Sequence, residues 1–289
     1  MHFREHGDPD APGPGAEEAA AAYGQALFEP EVSGEAERID LGALAYDWVS
    51  KARLRSLGVG PGWRCLDVGA GTGSLARWLV REPRVDEVVA VDRDVRFLTT
   101  HPTHGVTPLT ADVTAADFAP GRFDLVHARF LLMHLRQHQD VLARLADLVA
   151  PGGWLVIADA IDLTTDHLPD SPYRAAMRAM WRGLRDTIGT DVSWTPEYPR
   201  RLQAAGLQEV GAEIYIPPLT AGQPISAFWA QTWDRMREAM LATGLVDELQ
   251  LEAAVDSLSS PAFAALSPGM IIGWGRRQGA RSGGTGSAA

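Results

Sequence analysis

Short apolar runs alternate with stretches of helical spacing through the middle of the chain. "RCLDVGA" from Arg64 is a continuous apolar run and predicts a first strand, and "SLARWLVREP" from Ser74 predicts the helix after it. "EVVAVDRD" from Glu87 reads as a second strand, "RFLTTHP" from Arg96 as a short helix, and "VTPLTADV" from Val106 as a third strand. "FDLVHARF" from Phe123 reads as a fourth strand, and "LMHLRQHQDVLARLADLVA" from Leu132 as one long helix. Pro151-Gly152-Gly153 then turns the chain into a fifth strand, "PGGWLVIADA". Strands this uniformly apolar, separated by helices, call for a parallel sheet covered on both faces and joined by right-handed crossovers.

The rhythm loosens beyond Ile161. "SPYRAAMRAMWRGLRDTIG" predicts a helix with Ser171 as N-cap and Pro172 at its first position. "PEYPRRLQAAGLQEVGAEIYI" from Pro196 predicts a helix, a glycine stop and a sixth strand. A helical insertion follows from about Ser226 to Leu266, and "PGMIIGWGRR" from Pro268 closes the sheet as a seventh strand. Upstream, "AEEAAAAYGQALF" and "DLGALAYDWVSKARLRSLG" predict helices between Ala16 and Leu57, the second with Leu41, Leu44, Trp48 and Ala52 on one face, and Gly58 stopping it. Residues 1–15 and 279–289 are polar and rich in Gly, with Pro at the start, and are expected to be disordered. That divides the chain into a helical cap over 16–58 and an α/β domain over 59–278 carrying a helical lid insertion at 217–267.

The totals narrow the function. The 289 residues are 46% hydrophobic, enough for a large core, and carry a formal net charge of −11 with no basic run. Nucleic-acid binding needs a basic face to displace counterions, so it is not expected. Cys65, the single cysteine, sits in an apolar strand pattern and reads as core, and with no disulfide possible within the chain a reducing cytoplasm is the expected location. The N-terminus lacks an apolar leader and no apolar run approaches 18 residues, so neither secretion nor membrane insertion is expected.

Candidate chemistry concentrates at the ends of the strands. Gly69, Gly71 and Gly73 follow the first strand, where a doubly wound sheet binds its ligand. Their spacing is Gly-x-Gly-x-Gly, not the Gly-x-Gly-x-x-Gly of dinucleotide sites. A plain tight turn is the simpler reading, but the neighbours speak against it. Asp92 closes the second strand, 19 positions after Gly73, and can accept from both hydroxyls of a ribose, although this alone would also suit NAD. Asp112, followed by Val113, closes the third strand where an adenine would lie, and Asp67 precedes the glycines on the first.

With these motifs in their order, "LDVGAGTG", "VVAVDRD", "TADV", "FDLVHARFLLMHL" and "LVAPGGWLVIAD", the chain resembles the class I S-adenosylmethionine-dependent methyltransferases, of the small-molecule, natural-product type, over about Val59 to Ala160. The resemblance implies a doubly wound, mostly parallel seven-stranded sheet of order 3-2-1-4-5-7-6 with strand 7 antiparallel, and S-adenosylmethionine as cofactor. It also implies roles. Asp67, Gly69, Ala70 and Gly71 would line the methionine portion. Asp92 would hold the ribose, with Arg93 along the adenine edge. Asp112 and Val113 would recognise the adenine, and Ala128 and Arg129 would approach the amino end and the reacting methyl.

The catalytic signature is faint, because a sulfonium methyl needs only an aligned nucleophile and a dry site. His127, Arg129 and His134 lie near the exit of the fourth strand, and no catalytic residue is assigned among them. Arg129 could orient an acidic substrate or pair with a carboxylate. His134 could be a base or a structural histidine. The Asp/Asn-Pro-Pro-Tyr/Phe motif of nucleobase methyltransferases is absent, with "HARF" in its place. His134 and His138 could meet on one helix face, but "HLRQH" lacks the glutamate of a zinc helix, and no metal is expected.

Phe228, Trp229, Trp233, Met236 and Met240 recur at helical spacing, either as core packing or as the inner face of a lid, with Met177, Met180 and Trp181 repeating the pattern and Trp194 and Tyr198 able to edge the same pocket. The expected function is methyl transfer to O, N or C of a small, apolar or aromatic specialised metabolite, with a homodimer possible and no nucleic-acid or membrane partner. The alternative is a cofactor-binding cyclase or decarboxylase of the same fold with no net methyl transfer. A nicotinamide oxidoreductase and a silent partner subunit fit the sequence less well.

Overall fold

The structure, a computed structural model, describes residues 23–279. Its elements run α1 (Glu35–Ser56), β1 (Arg64–Val68), α2 (Ser74–Arg81), β2 (Glu87–Asp92), α3 (Arg96–Thr100), β3 (Val106–Thr110), β4 (Phe123–Arg129), α4 (His138–Leu148) and β5 (Val149–Ile161). They continue with α5 (Pro172–Ile188), α6 (Tyr198–Ala204), β6 (Gln208–Tyr215), β7 (Pro218–Thr220), α7 (Pro224–Arg235), α8 (Arg237–Ala242), α9 (Glu248–Ser259), β8 (Ala264–Leu266) and β9 (Gly269–Arg276). The main sheet has the order β3-β2-β1-β4-β5-β9-β6. Only β9 runs antiparallel to its neighbours, β5 and β6. This is the seven-stranded order that the resemblance implies, with β9 as its seventh strand.

The central strands alternate their side chains between two cores. Cys65, Leu125, Val156 and Ile272 pack with α1, α2, α5 and α7, while Leu66, Val126, Leu155 and Ile271 pack with α4 and α6. Both faces are therefore dry, which is why these strands read as unbroken apolar runs. Helix α5 begins as expected, with the Ser171 hydroxyl accepting from the Arg174 amide at 3.2 Å, and ends on Gly189 at φ 74°.

Four expectations need correction. The helical pattern before Phe28 falls partly outside the described residues. Within them, Tyr23 to Phe28 form turns, broken by Gly24 at φ 80° and Phe28 at φ 61°. In α1 the apolar face formed by Leu44, Trp48 and Ala52 is the exposed one, with Leu44 67% and Trp48 55% accessible. The buried face instead carries Glu35, Arg38, Gly42, Tyr46, Val49 and Leu54: its first turns cover a cavity and its last turns pack on the core. The helix expected from Leu132 starts only at His138. Leu132–His134 form one 3-10 turn and Leu135 is extended, so His134 and His138 share no helix face. The insertion is not wholly helical, since β7 and β8 pair as a small antiparallel ribbon at its base.

Gly153, at the turn into β5, shows how tightly the sheet is closed. A Cβ there would lie 2.6 Å from the carbonyl oxygen of Asp124 on β4, a backbone atom that cannot swing away. Gly60, in the loop before β1, has its nearest neighbour at 3.7 Å. Gly153→Ala is expected to lower unfolding free energy by about 1–3 kcal/mol, as overpacking does, and Gly60→Ala to leave it nearly unchanged, both read from denaturant midpoints.

Candidate functional site

The three glycines after β1 all take the left-handed backbone, with φ of 69°, 54° and 82° at Gly69, Gly71 and Gly73. No other residue type adopts that conformation as cheaply. The turn they make is tied to the tip of β2. The Val91 carbonyl accepts from the amides of Gly69 at 2.8 Å and Ala70 at 3.0 Å, and Asp92 Oδ2 accepts from the Gly71 amide at 2.9 Å. The glycines are required by space as well as by angle, since a Cβ at Gly73 would meet Leu98 at 2.5 Å and one at Gly69 would meet Leu131 at 3.3 Å.

This turn forms the floor of a cavity of about 690 Å³, within the roughly 300–1,000 Å³ of small-molecule sites. Asp67, Gly69, Ala70, Gly71, Asp92, Arg93, Asp112, Val113 and Arg129 all border it. Ala128 does not; it is buried within β4. Burial pushes the Asp92 carboxyl upward despite its backbone hydrogen bonds. At Asp112 burial pushes the same way, but hydrogen bonds from Thr114 and the charge of Arg93, 4.0 Å away, hold the carboxyl below its ordinary value.

Asp67 is not free to face a ligand alone. Its Oδ1 lies 2.8 Å from His127 Nδ1 on the adjacent strand β4. A carboxylate only accepts, so Nδ1 carries a proton, and in the neutral ring Nε2 is then the acceptor. His127 is 1% exposed and borders the cavity, and its Nε2 has no hydrogen-bond partner. Arg129, which could have read a substrate acid, is committed to Asp47 at 2.7 Å, with Ser50 and Ser74 beside it. Burial raises the Asp47 carboxyl, but Arg129 and Lys51 outweigh it and hold the group below its ordinary value.

The residues present fit the cofactor that the sequence resemblance implies. The left-handed turn lets a ligand reach the backbone, Asp92 and Asp112 offer acceptors at two strand tips, and the orphaned Nε2 of His127 is an acceptor that a buried ammonium would satisfy.

Residues that sequence reading missed form the roof. Tyr23 and Phe28 of the first turns, and Arg38, Ile39, Gly42 and Tyr46 of α1, all border the cavity. The signal available was the recurrence of Glu35, Arg38, Gly42 and Tyr46 along one helix face. The walls beyond are apolar: Met133, Met180, Trp181, Leu184, Phe228 and Trp229. Trp233, Met236 and Met240 are fully buried core. Trp194 and Tyr198 pack on the opposite side of the sheet, Trp194 stacked on His138 with ring centroids 4.0 Å apart, and edge no pocket.

His134 borders the cavity with Nδ1 2.8 Å from the Thr190 hydroxyl and its ring 4.7 Å from that of Tyr23. Burial, with help from the charge of Arg38, lowers its pKa to about 3, so it stays neutral. Beneath the same turn, Asp159 on β5 is 1% exposed, accepts from the Tyr198 hydroxyl, and leaves Oδ1 without a hydrogen-bond partner. Burial raises its pKa to about 7, against the opposing pull of Tyr198 and the amides of residues 131–133. Among the described residues no group of three or more His, Cys, Asp or Glu could hold a metal ion, and no helix is long and apolar enough to cross a membrane.

Comparison with known proteins agrees with the geometry. The sequence model of a family described as "Methyltransferase domain" matches residues 19–210, well over half of the chain. Methyltransferase str3 of Strobilurus tenacellus is 34% identical over 107 residues, which are 37% of this chain and 39% of that protein. Trans-aconitate 2-methyltransferase of Mycobacterium tuberculosis is 27% identical over 172 residues, 56% of this chain and 63% of that protein. The chain thus matches less than two thirds of the length of either relative. Among solved structures, the [4+2]-cyclase SpnF superposes with a TM-score of 0.50 at 16% identity, covering 81% of each chain, a likeness of fold.

Asp159 and His134 act on stability with opposite sign. A raised acid pKa gives stability that is present at low pH and lost as pH rises through about 7. A lowered histidine pKa leaves the folded state unprotonated, so stability grows as pH rises through the unfolded value of 6.5. Their contributions should largely cancel between pH 5 and pH 8. Asp159→Asn is expected to tilt the profile so that stability increases over that range relative to the parent, and His134→Gln so that it decreases, each by about 2 kcal/mol, measured by urea unfolding at both pH values.

Proposed function

The chain belongs to the class I S-adenosylmethionine-dependent methyltransferases, and from that premise we propose that it methylates an O, N or C atom of a small, largely apolar metabolite enclosed beneath the α1–α7 roof. The observation that carries this reading is the continuity of one cavity from the glycine turn to the apolar helices. A cofactor and a small second molecule would lie side by side in it, out of water. S-adenosylmethionine supplies an activated methyl on a sulfonium.

The chain's own residues bind, orient and exclude water. Asp92 holds the ribose hydroxyls, and its position is fixed by the Gly71 amide. Asp112 and the Val113 backbone receive the adenine beside Arg93. His127 Nε2 accepts from the ammonium of the amino-acid tail, with Asp67 fixing the tautomer behind it. Arg129 acts through Asp47, anchoring α1 over the site. His134 is too weak a base, at a pKa of about 3, to draw a proton from an ordinary alcohol or amine. Catalysis on this view is alignment and desolvation. Residues 23–58 and 217–267 serve as two halves of a cap, an arrangement suited to an enclosed metabolite rather than a polymer.

A second reading keeps the cofactor and omits the transfer, as in a cyclase; the SpnF likeness is compatible with it but is one of fold alone.

Calorimetric titration with S-adenosylhomocysteine is expected to show one site per chain. Asp92→Asn should weaken it by about 10- to 100-fold, the worth of a hydrogen bond to a charged group. His127→Leu should weaken S-adenosylhomocysteine but not 5′-methylthioadenosine, which lacks the amino-acid tail. With methyl-labelled cofactor and an accepted substrate, label in the product supports methyl transfer, and product without label supports the second reading.

A further inference from the structure

The roof of the chamber holds a charged cluster that the cofactor residues do not use. Glu35 and Arg38 stand one turn apart at the start of α1, 1% and 4% exposed. Arg38 donates to Glu35 twice, from Nε at 2.9 Å and Nη2 at 2.5 Å. Arg235, at the end of α7, brings a second guanidinium 3.2 Å from the same carboxylate. One carboxylate between two guanidiniums leaves a positive charge unbalanced. Of the nearby acids, Glu31 at the rim pairs with Arg96, while Asp40 on α1 accepts from the neutral Thr72 hydroxyl beside the glycine turn. The excess is felt inside the chamber, where Arg38 helps to keep His134 neutral.

Arg38 is also held rigid. Its guanidinium lies 4.2 Å from the Phe28 ring centroid and 5.5 Å from that of Phe228. Nη1 reaches the Thr232 hydroxyl at 3.4 Å, which leaves one of its hydrogens unused, and Nη2 donates to the Tyr23 hydroxyl at 2.8 Å. The Tyr23 phenol is thereby an acceptor toward Arg38, and its own proton has no acceptor among the described residues. The result is a dry, fixed pair of donors beside a net positive charge, amid apolar walls. Such an environment favours an oxyanion over a neutral oxygen. It belongs to the far half of the chamber. Ile39, the next residue, faces the glycine turn with Cγ2 3.4 Å from where a Gly71 Cβ would be, whereas Arg38 is turned toward Phe228 and Thr232 of α7.

We propose that the substrate is a small apolar molecule bearing one anionic oxygen group, a carboxylate or phenolate, and that Arg38 and Tyr23 receive that oxygen. This rests on the proposed function, since it assigns the half of the cavity left beside the cofactor. Arg129, the basic residue that the sequence marked for an acidic substrate, pairs with Asp47 and lies beside Ser74 at the end of the glycine turn, in the cofactor half.

The test is calorimetry on the full chain saturated with S-adenosylhomocysteine, titrated with 2-naphthoate and with its neutral isostere 2-naphthamide. Naphthoate should bind at least about tenfold more tightly, the worth of one charge-assisted hydrogen bond. Arg38→Met should bring the ratio close to one with S-adenosylhomocysteine affinity unchanged, and Tyr23→Phe, which removes only a hydroxyl, should reduce it part of the way. If Arg38→Met strands Glu35 and fails to fold, Glu35→Gln/Arg38→Met replaces it with the same expectation. Equal binding of the two probes, binding of neither, or a preference that survives both variants overturns the proposal. So does an Arg38→Met protein that loses S-adenosylhomocysteine but keeps 5′-methylthioadenosine, because the anion recognised would then be the cofactor's own carboxylate. Failure of the unaltered protein to bind S-adenosylhomocysteine overturns the proposed function itself, whatever the probes do.

Discussion

The tip of β2 is where this molecule converts a fold into a site. A parallel sheet leaves the ends of its strands with unpaired backbone groups, and here they are consumed in an unusual way. The Val91 carbonyl takes two amides from the loop of the neighbouring strand, and the next residue, Asp92, takes a third through its side chain. Three hydrogen bonds thus hold a turn whose glycines have every freedom to move. The floor is rigid because β2 dictates its shape. A ligand meets a preformed surface and gives up little in ordering the protein.

Much of this was legible from the chain because the causes are local. Glycines that must adopt positive φ, and aspartates closing successive strands, leave their mark at fixed offsets in sequence. Unbroken apolar runs report burial on both faces, whereas the strand order came from the family resemblance that these motifs carry. What escaped was set by distance. Nothing near Arg38 announces that Phe228 and Thr232 will lie against it, almost two hundred residues later. Trp48 and Leu44 misled for a related reason: helical spacing gives the faces of a helix but not which one looks inward. In α1 the inward face mixes Glu35 and Arg38 over the cavity with Tyr46, Val49 and Leu54 in the core, and a second apolar stripe is left to the solvent. The stop at Leu135 was hidden too, because a 3-10 turn followed by a helix has nearly the periodicity of one longer helix.

Charge in the interior follows one pattern. Asp67 is paired with His127 across two strands already joined by the sheet, Asp47 with Arg129 and Lys51, and Glu35 with two arginines, and the last two sets tie α1 to β4 and to α7. Buried ion pairs add little net stability compared with well-packed apolar groups. Their value here is positional: they decide where α1 lies relative to the sheet and to α7, and therefore how wide the space beneath it is. Both the Asp47 and the Glu35 sets hold two cations to one carboxylate, and the Glu35 set lies beside the rings of Phe28 and Phe228.

The latch between α1 and α7 has a consequence for how it would open. Its two halves come from opposite ends of the chain, joined through Arg235 to Glu35 and through Arg38 to Thr232, and nothing covalent ties them near the contact. Were the halves to part, water entering the gap would hydrate three charged groups at once while wetting Phe28 and Phe228. Those effects oppose each other, so the gate is easy to breach electrostatically and reluctant hydrophobically. Dissolved ions would ease the first effect and cold the second, so salt and temperature loosen this contact by separate routes.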